Sequence, residues 1–179
     1  MSSPFIQIIF AIETTEKAKT DYYYIREVLK KYFDIGYNKP NFVYMCGKHN
    51  YCNERVTKKI KTLIKEYSLT GGKSYVVYVC DKDKNMSVPQ DHRFIQDLEV
   101  YCLANSYELV WFVTTIEEVL WGIKASHKEK IAKAKQFVAQ KKINDVSKSN
   151  LSAMSNVNSK GMSNILTVLN IFTEITKNC

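Results

Sequence analysis

Tyr75-Val76-Val77-Tyr78-Val79-Cys80-Asp81-Lys82-Asp83 is the stretch that decides the fold. Its apolar run is short and rich in β-branched and aromatic residues, which suits a strand covered on both faces. The run stops on acids, so Asp81 and Asp83 stand at the carboxyl end of that strand. Toward the N-terminus, Phe5-Ile6-Gln7-Ile8-Ile9-Phe10-Ala11-Ile12 has the same character and stops at Glu13-Thr14-Thr15. Between the two runs, Tyr22, Ile25, Val28, Leu29 and Tyr32 recur at helical spacing and predict a helix over 19–33, with Thr20 or Asp21 as N-cap and Gly36 beyond its end. Residues 41–46 read as a second strand. Asn53 then caps a basic amphipathic helix carrying Val56, Ile60, Leu63, Ile64 and Tyr67, which Gly71-Gly72 ends.

Beyond Asp83 the pattern continues. Phe94, Ile95, Leu98, Val100, Tyr101 and Leu103 predict a helix over 90–105, and 108–113 is a fourth strand. The order β-α-β-α-β-α-β predicts an α/β fold, Rossmann-like, with a mainly parallel sheet, right-handed crossovers and helices on both faces. Residues 116–142 read as helical and increasingly basic, 144–164 as a Ser/Asn-rich connection without periodicity, and 165–175 as a short apolar helix. The organisation expected is one α/β domain over 1–142, with a helical C-terminal extension over 143–179 packing on it.

A chain of 179 residues, 45% hydrophobic and 25% charged, suits one globular domain. No stretch approaches the ~20 apolar residues of a membrane helix. Glu13 and Thr14 interrupt the first apolar run too early for a secretory signal, so the expectation is a soluble, cytoplasmic protein without a membrane partner. Five cysteines, Cys80 and Cys102 within apolar patterns, argue for reduced thiols rather than a disulfide scaffold. A net charge of +8 favours a polyanionic partner such as nucleic acid.

Ligands of open α/β sheets collect outside the carboxyl ends of strands, where acids far apart in sequence converge. Glu13 follows the first strand, and Asp81 and Asp83 follow the third. Mg²⁺ takes oxygen ligands, usually one or two carboxylates with waters and substrate phosphates. The competing reading makes these acids turn formers and helix caps.

Ile12-Glu13 after an apolar strand, then Thr20-Asp21-x-x-Tyr24, then Val77-Tyr78-Val79-Cys80-Asp81-Lys82-Asp83, resembles the Toprim domain, in particular the RloB-like proteins of bacterial phage-defence loci. The stretch from Trp111 to Trp121, with its Thr-Thr-Ile-Glu-Glu, and Met162-Ser163-Asn164-Ile165-Leu166-Thr167-Val168-Leu169 fit that resemblance, which covers most of the chain. It implies Mg²⁺- or Mn²⁺-dependent hydrolysis of nucleic-acid phosphodiesters in anti-phage defence, as a phage-defence nuclease of the abortive-infection type. Asp81 and Asp83 would hold the metal, with Glu13 a ligand or general base. Glu117 or Glu118 would match a later family glutamate. Thr14 stands where the family has glycine, which leaves a second reading: an inactive module that binds nucleic acid or a partner protein. No Gly-x-x-x-x-Gly-Lys-[Ser/Thr] loop is present, so ATP-driven sensing would fall to a separate ATPase partner. Homo-oligomerisation is left open.

Three further features each admit a bland reading beside the functional one. Cys46-x-x-His49-x-x-Cys52 has tolerable zinc spacing but no fourth ligand, and reads as incidental. His92 follows Asp83 and is a candidate phosphate donor, with a surface histidine as the alternative. Lys58, Lys61, Lys82 and Lys128 are the lysines expected to contact a nucleic-acid backbone, within basic stripes that otherwise read as solvated faces.

Overall fold

The computed structural model describes residues 6–34, 40–82, 89–154, 159–172 and 176–177, with the backbone alone at 34, 89–92 and 176–177. The elements in chain order are β1 (Ile6–Ile12), α1 (Thr20–Tyr32), β2 (Phe33–Asp34), β3 (Asn41–Tyr44), α2 (Glu54–Ser68), β4 (Lys73–Lys82), α3 (Pro89–Ala104), β5 (Glu108–Val113), α4 (Ile116–Trp121), α5 (Lys130–Ala139), α6 (Lys148–Leu151), α7 (Ile165–Leu169) and β6 (Thr176–Lys177). The fold is α/β and Rossmann-like. Its four-stranded sheet has the order β3-β1-β4-β5 and is parallel throughout. A two-residue antiparallel ladder joins β2 to β6.

Strand alternation sorts the side chains into two apolar layers. Ile6, Ile8, Phe10 and Ile12 of β1, with Val77 and Val79 of β4, pack against α1, α4, α5 and α7. Ile9, Ala11, Val76, Tyr78 and Cys80 face α2 and α3. The chain leaves β1 toward β3 on one side and returns to β4 on the other, so the topological switch lies between β1 and β4. In such sheets the crevice at the switch, outside the carboxyl ends, is where ligands sit.

β1 and β4 run in register from Ile6 opposite Lys73 to Ile12 opposite Val79. β4 then outruns β1, because β5 continues to pair with it through Asp81–Phe112 and Lys82–Val113. Asp81 therefore belongs to the strand rather than to the turn after it.

Several expectations need correcting. Helix α1 is capped by neither Thr20 nor Asp21: Lys19 occupies the N-cap position in left-handed backbone, φ 54°, and makes no side-chain cap. Asp21 is used elsewhere, as described below. Residues 116–142 are not one helix. Gly122 adopts φ 68° and ends α4 by donating its N–H to Glu118 O, a turn that glycine takes at little steric cost. The segment 144–164 is more than a connection. Val113 N donates to Met162 O at 2.9 Å, and the fully buried Asn164 accepts from Trp111 N at 2.8 Å and donates from Nδ2 to Leu109 O at 3.0 Å. An asparagine thus satisfies the backbone of edge strand β5. Ile143, Val146, Leu151, Ile165, Leu166, Val168, Leu169 and Phe172 enter the same core as α1.

Candidate active site

The carboxyl ends of β1 and β4 open into a cavity of about 460 Å³. Glu13, Thr14, Asp21, Cys46, Asp81 and Lys130 are among its lining residues. Each acid is aimed by backbone. Glu13 leaves the end of β1, where Ile12 O accepts from Met45 N and Glu13 O accepts from Gly47 N, both at 2.8 Å. Its Oε1 accepts from Asp81 N at 2.7 Å, so one acid fixes the strand end that carries the other. Asp81 Oδ1 accepts from Ile116 N at 3.0 Å, the first amide of α4. That amide is presented by Thr114, whose φ of 90° is unusual for a β-branched residue and turns the chain from β5 into the helix. Asp21 Oδ2 accepts from Thr14 N at 3.1 Å and Oδ1 accepts from Thr20 Oγ1 at 3.1 Å. Asp21 thus clasps the turn after β1 instead of capping its own helix.

A fourth carboxylate lies beneath. Glu117 is 1% exposed, and its two oxygens are buried without a hydrogen-bond donor. The Lys130 ammonium stands 3.4 Å from its Oε1, an ion pair outside hydrogen-bond geometry. Lys130 is the first residue of α5, which Tyr24 anchors to α1 through an edge-on contact with Phe137 at 4.8 Å. Ser126 N and Oγ both donate to Glu129 Oε2, pinning the loop just before Lys130.

The electrostatics follow from burial and crowding. Asp81 is held well above the ordinary carboxylate range, first by desolvation and then by Glu13, Asp21 and Glu117, against which Lys130 acts. Asp21 is also raised, chiefly by desolvation, with Glu117 adding and the hydrogen bonds from Thr14 and Thr20 opposing. For Lys130, desolvation favours the neutral amine, but Glu117, Asp81 and Asp21 together outweigh it and raise its pKa. The site is a surplus of anionic oxygen with an ammonium set among it.

Such a donor set suits a hard divalent cation. Among the described residues no three His, Cys, Asp or Glu side chains stand in mutual metal-binding geometry. Mg²⁺ needs only one or two protein carboxylates, its other positions going to water and substrate. Glu13 and Asp81 both line the cavity and would be the candidates for those positions, and the Glu117 oxygens beneath are buried without a hydrogen-bond donor. The residues fit the ion.

Asp83 lies outside the described residues, as does the side chain of His92. Of the two later glutamates, Glu117 joins the cluster, whereas Glu118 is half-buried and its N–H completes the Thr115 cap of α4. Lys58, Lys61 and Lys128 are exposed. Lys82 must be removed from the set of backbone-contacting lysines. It alternates to the face opposite Asp81, is 5% exposed, and holds its ammonium 5.1 Å from the centroid of the Trp111 ring. Burial lowers its pKa, with Glu99 opposing. Strand period alone could have placed it there.

Two site residues escaped the sequence reading. Asp21 was visible in the Thr20-Asp21 pair but looked like a cap, and Lys130 looked like one lysine of a basic stripe. Cys46 and Cys52 are exposed free thiols, and His49 rests edge-on against Phe94 at 4.8 Å, so the Cys-His-Cys spacing has an ordinary packing explanation. No helix among the described residues is long and apolar enough to cross a membrane. The chain matches no family model, no curated protein and no solved structure.

Proposed function

We propose that this protein is a Toprim-like, RloB-like nuclease, hydrolysing nucleic-acid phosphodiesters with Mg²⁺ or Mn²⁺ in the cytoplasm as part of bacterial anti-phage defence, alongside a separate ATPase partner. The observation that carries the reading is the pairing of Glu13 and Asp81 at the switch point, Glu13 Oε1 to Asp81 N at 2.7 Å, beside a cavity with room for substrate. Glu13 and Asp81 would hold the metal, with Asp83 as the further ligand that the resemblance suggests. The chemistry such an ion supplies is Lewis-acid polarisation of a phosphoryl oxygen and neutralisation of developing charge.

The chain's own residues do the rest. Lys130 keeps its proton and presents positive charge to the cavity, where a substrate phosphate would enter. Glu117 holds that ammonium from below, and Asp21 braces the turn that aims Glu13. As the alternative to holding the metal, Glu13 would take a proton from an attacking water.

The second reading, an inactive binding module, rests on Thr14 in place of glycine. Thr14 is not among the residues with positive φ, and its N–H and hydroxyl are engaged with Asp21 and Thr20. The turn makes no demand for glycine, which favours the active reading.

The test is cleavage of plasmid DNA, single-stranded DNA and transfer RNA with Mg²⁺ or Mn²⁺, comparing wild type with Glu13→Gln and Asp81→Asn. Metal-dependent cleavage lost in both variants supports the proposal. Cleavage that survives both substitutions refutes this site, and absence of cleavage on every substrate, with the partner present, favours the binding module.

A further inference from the structure

Outside the acid cavity, a second concave surface runs along the open edge of the sheet. Among the described residues β3 pairs only with β1 in the sheet, and beside it lies a trough of about 510 Å³. Glu16, Phe42, Tyr44, Arg55, Lys58 and Lys59 line it. Three cations thus face one carboxylate, the charge balance of a polyanion site. Arg55 is fixed in place, its Nη2 donating to Tyr44 O at 2.9 Å. Lys58 and Lys59 are exposed on α2 and enter no ion pair among the described residues.

The trough adjoins the acid cavity at two places. Tyr44 lines the trough, and two residues later Cys46 and Gly47 line the cavity. Across the turn after β1, Glu16 lines the trough while Thr15 lines the cavity.

Basic residues alone would suit any polyanion. The aromatic lining narrows the choice: Phe42 stacks on Phe10 at 5.4 Å and meets the edge of Tyr22 at 4.8 Å, forming a rigid aromatic floor that Tyr44 continues. Bases stack on aromatic rings only when they are unpaired, and single-strand sites combine a basic groove with such rings. We propose that this trough binds a single-stranded segment of nucleic acid, RNA or DNA, and leads it to the acid cavity. The leading part rests on the nuclease reading above; the binding part does not.

The experiment is fluorescence anisotropy in EDTA, with labelled unpaired RNA and DNA oligonucleotides and their duplexes, on the full chain. The variants are Lys58→Glu/Lys59→Glu and, as a control of equal charge, Lys148→Glu/Lys160→Glu. The expected result is preference for the unpaired strands, weakened about tenfold or more by the first variant, with the salt slope reduced by about 1.4 if each lysine meets one phosphate. The control should bind like wild type. Equal loss in both variants, no loss in the first, duplex bound as tightly as single strand, or displacement by an oligoglutamate peptide as effective as by unlabelled oligonucleotide would each overturn the proposal. Because EDTA removes metal-dependent cleavage, binding as expected by a protein that never cleaves would refute the nuclease reading and leave the trough standing.

Discussion

Lys130→Met should destabilise the metal-free protein and identify the force that holds the acid cluster together. The Lys130 side chain is 31% exposed and that of Glu117 1%, with the ammonium 3.4 Å from Oε1. Removing one partner of a buried pair typically costs ~3–5 kcal/mol, because the other charge is left uncompensated. The partial exposure of Lys130 puts this case at the low end, about 3 kcal/mol. For a chain of this size that lowers Tm by roughly 6–12 °C. Methionine keeps most of the aliphatic stem, so lost packing contributes little. The assay is urea and thermal denaturation in EDTA at neutral pH, for Lys130→Met, Glu117→Gln and the double variant. Neutralising Glu117 removes the charge that Lys130 balances, so the double variant should recover more than about 1 kcal/mol of the additive expectation. A Lys130→Met protein within about 0.5 kcal/mol of wild type, or strictly additive losses, would refute the reasoning.

Other expectations follow from the same geometry. Asp81 and Asp21 are raised in the folded state, so the native protein binds more protons than the unfolded chain. Their contribution is fully present below the ordinary carboxylate value and is lost as pH rises through the raised folded values. Metal-free protein should therefore lose stability across that window, as denaturation at a series of pH values in EDTA would show; a rise in stability there would contradict the desolvation and crowding of these acids. Titration calorimetry should find Mn²⁺ binding weakened as pH falls through the same window, since a proton must leave Asp81 first, and abolished in Asp81→Asn. Asn164→Ala should cost about 2 kcal/mol, because it leaves Trp111 N buried without a partner at ~1–3 kcal/mol and removes a part-buried bond to Leu109 O; urea denaturation measures it, and a loss under about 1 kcal/mol would mean the edge of β5 is satisfied otherwise. Thr114→Gly should be neutral or stabilising by about 1 kcal/mol, since it relieves strain at φ 90° and removes a buried hydroxyl without a partner; thermal denaturation would show it.

The two apolar layers are legible in the residues alone. The apolar run at 75–80, its counterpart at 5–12 and the helical periodicities between them predict alternating strands and helices, because period 2 and period 3.6 are local properties of the chain. They also place Glu13 and Asp81 at strand ends, where an open α/β sheet gathers its ligands. The resemblance implies roles for the same two acids, for Asp83 and for one of the glutamates at 117–118.

What each charge does depends on long-range packing. Asp21 was legible as a first-turn acid, yet its partner is Thr14 N across the turn, a contact fixed by how β1 enters α1. Glu117 and Glu118 are neighbours of equal chemistry, and only the packing of α4 on the sheet buries one beside Lys130 and leaves the other at the helix surface. Lys130 comes from a helix that begins 49 residues after Asp81, and its role depends on the α1–α5 contact through Tyr24 and Phe137. Asn164 carried no periodic signal, because an asparagine that replaces a neighbouring strand works through two hydrogen bonds rather than through a repeat. Local periodicity writes which face is buried; which charges then meet depends on strand order, register and crossover, and those are set by the whole chain closing on its core.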